Sequence, residues 1–170
     1  MIVTKGDRVA LAAFPRGEIV LRWTSFEDFD LVAVYEDSQK GVIYFSSVGS
    51  SSKPPYLELK DEIEPTSVEK DNEQRIVVAQ MTVKKIWIFA WSFESMLDQT
   101  SLDFQANGLH LEVQSADSSW TTQASDLGTG NLCRLGMIHD DGKQIWFENH
   151  SDVFDAPVFQ EIEELFAFLQ

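Results

Sequence analysis

The sequence predicts an all-β protein, an antiparallel two-sheet β-sandwich with a C-terminal amphipathic helix packed against it, and three observations carry that prediction. About ten short runs rich in β-branched and aromatic residues follow one another with turn chemistry between them. One run, Ile86-Trp87-Ile88-Phe89-Ala90-Trp91, is apolar at every position, so both of its alternating faces require cover. The chain then closes on Val158, Ile162, Leu165, Phe166 and Leu169 at three- and four-residue spacing, the stripe of a helix lying on a surface.

Composition sets the frame for these elements. With 170 residues, 44% of them apolar and 12% aromatic, the chain can bury the core of one domain spanning residues 1–170. Thirteen Lys and Arg against twenty-eight Asp and Glu leave a formal charge of -15, which repels nucleic acid and anionic lipid and draws cations or basic partners. Cys133 is the one cysteine and sits in the apolar run 132–138, so no intrachain disulfide forms and the thiol reads as a small buried hydrophobe. The apolar run at residues 9–14 is short for a leader and no later run reaches spanning length, so the expectation is a soluble, cytoplasmic protein.

In chain order, residues 9–14 and 18–23 flank Pro15-Arg16-Gly17, a compact connection of the hairpin kind. Residues 31–35 and 41–47 flank Glu36-Asp37-Ser38-Gln39-Lys40, a second hairpin in which the Asp37 side chain is expected to bond the nearby backbone. A Ser/Gly-rich loop meets Pro54-Pro55 and continues acidic to Glu73. Strands are expected over 75–81 and 85–91, the second central in its sheet. Residues 93–104 break the pattern, with Met96, Leu97 and Leu102 spaced as in a short helix or a wrapping loop. Leu109-His110-Leu111-Glu112-Val113-Gln114 alternates as a strand between Asn107-Gly108 and Asp117-Ser118-Ser119. Residues 131–139 and 143–148 form a hairpin over Asp140-Asp141-Gly142, where glycine accepts a positive φ. The last helix is expected to start near Asp155 as N-cap, with Pro157 in its first turn and Glu161, Glu163 and Glu164 facing away from the sheet.

Function is sought first where Glu27-Asp28-Phe29-Asp30 runs into Leu31-Val32-Ala33-Val34-Tyr35, a short acidic loop at the mouth of a buried strand. Asp28 and Asp30 stand two apart, so in extended chain both carboxylates share a face, and paired hard oxygens suit Ca²⁺. A solvated acidic turn fits the same spacing. His110, His139 and His150 share no zinc-type spacing with Cys133, the serine runs lack a strand-elbow-helix setting, and no Gly-rich phosphate loop precedes a helix. A non-enzymatic protein is therefore expected. Trp87, Trp91, Trp120 and Trp146 leave open a carbohydrate- or protein-binding module without metal, against the commoner role of such residues as core.

The order of several short motifs adds to this reading. Lys5-Gly6-Asp7-Arg8-Val9 opens a strand, Trp23 ends one, Asp28-Phe29-Asp30-Leu31 enters the next, Asp71-Asn72-Glu73 precedes Ile76-Val77-Val78, and Lys84-Lys85-Ile86 leads a hydrophobic strand. Later, Leu135-Gly136-Met137-Ile138 and Asp141-Gly142-Lys143-Gln144-Ile145-Trp146-Phe147 follow the same scheme. Over nearly its whole length the chain resembles the tellurium-resistance, TerD-like family of stress proteins. The resemblance implies a non-catalytic sandwich that binds Ca²⁺ in acidic loops at one end, with Trp23, Trp87 and Trp146 buried, and with Ca²⁺ or other cations and other stress-response proteins as partners. It implies metal ligands at Asp28, Asp30, Asp61, Asp71 and Glu73. Thr24 and Val32 stand where that pattern expects carboxylates, so the implied calcium site is degenerate, held between the Asp28–Asp30 loop and the loop of residues 61–73.

Overall fold

A computed structural model describes residues 1–11, 14, 16–60 and 72–170. Two antiparallel sheets face each other. The first runs in space as β1 (Arg8–Ala10), β13 (Ile145–Phe154), β12 (Leu132–Asp140), β7 (Lys85–Trp91), β3 (Asp30–Glu36) and β4 (Lys40–Ile43). The second runs as β10 (Ser119–Thr121), β9 (His110–Gln114), β2 (Gly17–Trp23), β6 (Asn72–Val78) and β5 (Leu57–Lys60). A small ladder joins β8 (Leu102–Asp103) to β11 (Thr129–Gly130), and one short helix, α1 (Phe93–Asp98), follows β7. No helix among the described residues is long and apolar enough to cross a membrane. The fold is thus an all-β sandwich with little helix, as the strand spacing predicts.

The core between the sheets is built from one face of each strand, with Ile19 and Leu21 of β2, Ile76 and Val78 of β6 and Leu111 of β9 meeting Leu31, Ile88, Cys133 and Phe147 of the first sheet. Each of these aliphatic and phenylalanine side chains contributes about 1.5–3 kcal/mol on burial. The outer face of the first sheet carries a second cluster, in which Val32, Val34, Trp87, Phe89 and Trp91 are covered by Ala156, Phe159, Leu165 and neighbouring residues of the C-terminal segment. This explains why β7 is apolar on both faces: Ile86, Ile88 and Ala90 point to the other sheet, and Trp87, Phe89 and Trp91 to the C-terminal cover. It lies between β12 and β3, central as expected.

The hairpin over residues 140–142 is present, with Asp140 opposite Ile145 and Gly142 at φ 89°. So is the β3–β4 hairpin, closed by the Asp37 N–H donating to Gln39 O at 3.0 Å rather than by the Asp37 side chain. Residues 93–104 divide into α1, capped by Ser92 Oγ accepting from Ser95 N at 3.3 Å, and the β8 edge.

Two expectations are corrected. The strand runs at 9–14 and 18–23 do not form a hairpin, because β1 pairs with β13 while β2 lies between β9 and β6 in the other sheet. Phe14 is fully buried against Gly17, where a Cβ would stand 2.2 Å from its ring, so the apolar residue before the turn is drawn into the core rather than into a ladder. The C-terminal helix does not start near Asp155. Asn131 holds Ala156 extended, donating from Nδ2 to Ala156 O at 2.9 Å and accepting from Ala156 N at 2.7 Å, and the residue before Pro157 disfavours helix in any case. Only a 3₁₀ segment, Ile162–Phe168, remains, begun by a capping box between Glu161 and Glu164. The apolar spacing served a cover that is half extended.

Candidate functional site at the acidic end of the sandwich

Residues 24–29 carry the chain from the end of β2 to the start of β3, and so from one sheet to the other. Four polar contacts hold this loop or its exit. The Trp23 indole N–H donates to Glu27 O at 2.8 Å, and Asn72 Nδ2 donates to Ser25 O at 2.7 Å. Thr24 N donates to Asn107 O at 3.0 Å, and Leu31 N donates to Gln74 Oε1 at 2.8 Å. Phe29 anchors the loop from inside, fully buried, edge-on to Trp23 at 5.6 Å and beside Phe104 at 5.8 Å.

Phe29 is buried between Asp28 and Asp30, which differ in exposure. Asp28 is exposed; Asp30 is half-buried and accepts a hydrogen bond from Trp91 Nε1 at 3.2 Å across the β3–β7 pair. Thr24 is exposed on the same loop, its hydroxyl 3.4 Å from Asn107 O.

The other implied ligands divide. Asp61 and Asp71 lie outside the described residues. Glu73 is not brought to this loop: on β6 the inward positions are Asn72 and Gln74, and Glu73 between them faces the solvated side of the second sheet, where it pairs with Arg75 at 2.5 Å. Arg75 also meets Glu18 of β2 at 2.5 Å, so Glu73 is tied to a cross-strand ion pair through Arg75, and Arg22 meets Glu112 at 3.1 Å on neighbouring strands. Val32 corrects the carboxylate pattern more sharply. It is fully buried in the outer cluster with Trp87, Phe89 and Leu165, so an acid there would enter an apolar core and not the mouth. Among the described residues, no three His, Cys, Asp or Glu side chains gather as a metal would need.

Elsewhere, Cys133 is fully buried, and burial pushes its thiol above the usual range, which disfavours the reactive thiolate. His150 is half-buried beside Trp87 at 5.8 Å, and burial with the Arg134 guanidinium lowers its pKa. Trp23, Trp87 and Trp91 are buried. Trp146 is only half-buried, a correction to its expected place in the core; Arg8 stacks over its ring at 4.2 Å and its N–H donates to Asp141 at 3.0 Å. Trp120 is half-buried against the inter-sheet core. A tryptophan platform open to sugar is not formed by these five.

Sequence reasoning missed Asn72 and Gln74, the two amides that fix the loop and its exit. Their signal is parity: they occupy the inward positions of a strand that continues with inward Ile76 and Val78. The fold and this end define the protein as an acidic β-sandwich. Compared with known proteins, the chain matches no family model and no curated protein.

Proposed function

We propose that this chain is a non-enzymatic, TerD-like stress-response module of the cytoplasm whose cation-responsive element is the loop carrying Asp28 and Asp30, with Ca²⁺ as a weakly held ligand. The observation that carries the reading is the clamped loop itself: Phe29 buried, Asn72 bonded to Ser25, and an exposed Asp28 and half-buried Asp30 on the backbone those contacts hold. A preorganised pair of anionic oxygens costs less ordering on binding than a mobile one. The charge of -15 raises the local concentration of any cation. Weakness follows from ligand number, since Ca²⁺ takes about six to eight oxygens and Asp30 already accepts from Trp91. The resemblance would add Asp61 and Asp71, which lie outside the described residues, as further oxygen donors; Glu73, paired with Arg75, is left out of the proposed site.

Calorimetric titration of the chelator-treated protein with CaCl₂ tests this. Heat of binding that shrinks in Asp30→Asn supports the assignment, and a featureless titration at millimolar Ca²⁺ overturns it. A second reading, a metal-free binding module, is favoured by one observation: exposed apolar side chains, none of them tryptophan, at the same end of the sandwich.

A further inference from the structure

β4 runs antiparallel to β3, with Ile43 opposite Ala33, so the chain leaving β4 arrives at the end of the sandwich where β3 begins at Asp30 and β7 ends at Trp91. There Tyr44 and Ser47 exchange backbone hydrogen bonds of 3.0 and 2.9 Å, which leaves Phe45 at the tip of a two-residue turn, 51% exposed. Directly after Trp91, α1 presents Phe93 and Leu97 one turn apart, hence on one face, 37% and 57% exposed. The Phe45 and Phe93 rings meet edge-on at 6.1 Å, so the turn and the helix form one surface.

This surface is anchored from beneath. Tyr44 packs on Phe45 at 5.3 Å and on Trp91 at 6.4 Å, joining the patch to the buried outer cluster, and Ser95 and Met96 of α1 are buried. The Gln99 N–H closes the helix on Met96 O at 3.2 Å. Apolar side chains held on ordered elements lose little freedom when covered, which is the condition for an energetic anchor.

Its charge is one-sided. Glu94 and Asp98 are exposed on α1 beside Phe93 and Leu97, and Asp28 and Asp30 lie at the same end. No Lys or Arg occurs from Ile86 to Cys133, or from Gly41 to Ser52, the two stretches that build the patch. A second copy of this chain would bring the same acids against these and another -15 of charge, and an anionic membrane would be repelled likewise. We propose that Phe45, Phe93 and Leu97 form a docking surface for a cationic, apolar segment of another protein, whose apolar side chains cover the patch while its Lys or Arg side chains meet Glu94 and Asp98.

Fluorescence anisotropy on the full chain tests this with two labelled probes, a short amphipathic Leu–Lys peptide and its counterpart with every Leu replaced by Ser. The Leu–Lys peptide should bind about tenfold more tightly than the Ser–Lys peptide, and Phe45→Ser with Leu97→Ser should remove that advantage. Glu94→Gln with Asp98→Asn should weaken binding several-fold and flatten its salt dependence. All four side chains are exposed, so an unchanged melting temperature verifies the fold of each variant. Equal binding of both peptides, or a Leu advantage that survives the Phe45 and Leu97 changes, overturns the proposal. So does a wild-type dimer in sedimentation that these two changes dissociate, since the occupant is then a second copy.

Discussion

Phe29, between Asp28 and Asp30, is fully buried against Trp23 and Phe104, while Asp28 is exposed and Asp30 is half-buried and accepts from Trp91 Nε1. The two positions where a carboxylate is missing are physically unlike each other. Thr24 is exposed on the clamped loop, so Thr24→Asp adds an anionic oxygen at the rim and should increase the stabilisation by Ca²⁺, while Asp30→Asn should reduce it. A ligand at a hundred times its dissociation constant stabilises by about 2.7 kcal/mol, so melting temperatures with CaCl₂ and with chelator resolve the difference. If Thr24→Asp gains nothing and Asp30→Asn loses nothing, the loop is a solvated acidic turn. Val32→Asp has the opposite sign. Its carboxylate would sit among Phe89, Trp91 and Leu165 without a partner, and we expect a loss of about 3–5 kcal/mol in denaturant unfolding with no gain in Ca²⁺ response. A stable Val32→Asp variant that binds Ca²⁺ more tightly would contradict the burial of that strand face.

At the level of elements, the β12–β13 hairpin shows how a turn can be held by two carboxylates, and Asp140 accepts from Gly142 N at 2.9 Å. Asp141 accepts from Lys143 N and Gln144 N, both at 2.8 Å, and from the Trp146 indole at 3.0 Å. The Lys143 N–H first, then the indole and the Gln144 N–H, hold its carboxyl at about 2, against an ordinary value of 3.8. A carboxyl depressed in the folded state contributes stability above its unfolded pKa and loses it as pH falls through the folded one. Asp141→Ala should therefore lower the melting temperature at neutral pH, and the gap between variant and wild type should narrow as pH falls from about 4 to about 2. A gap that stays constant across that window would show that the ionised carboxylate does not hold the turn. The C-terminal segment is a different kind of element. Arg134, with 9% of its side chain exposed, donates to Phe168 O at 2.7 Å and to Asp152 at 2.6 Å, so the cover is latched to β12 and β13 as well as packed on β7.

Over the whole molecule the excess of negative charge decides the response to salt. The ion pairs Arg22–Glu112 and Arg75–Glu18 lie on a solvated face, where each contributes at most about 1 kcal/mol, while -15 of net charge acts on every ionised group. Screening should weaken the pairs less than it relieves the repulsion, so moderate NaCl should raise the melting temperature. A fall in melting temperature from low salt to about 0.15 M would mean that the cross-strand pairs outweigh the net charge.

Much of this architecture is local, and local features are legible. The alternation of residues 109–114, the all-apolar 86–91 and the Asp-Gly turn at 141–142 each specify their own conformation, and β9, β7 and the β12–β13 hairpin follow. What the sequence by itself determined was which stretches are strands, which faces are apolar and where the chain reverses. Only the tertiary structure decided what those faces meet. The turn chemistry of Pro15-Arg16-Gly17 does not select a sheet, and β2 lies with β6 and β9 because the partners of a strand come from residues distant in the chain. The apolar spacing after Asp155 fits a helix in isolation, yet Asn131, far away in the chain, holds Ala156 extended. Val32 and Thr24 differ in the same way: burial depends on what packs above a position, and the segment that packs above Val32 is the other end of the chain.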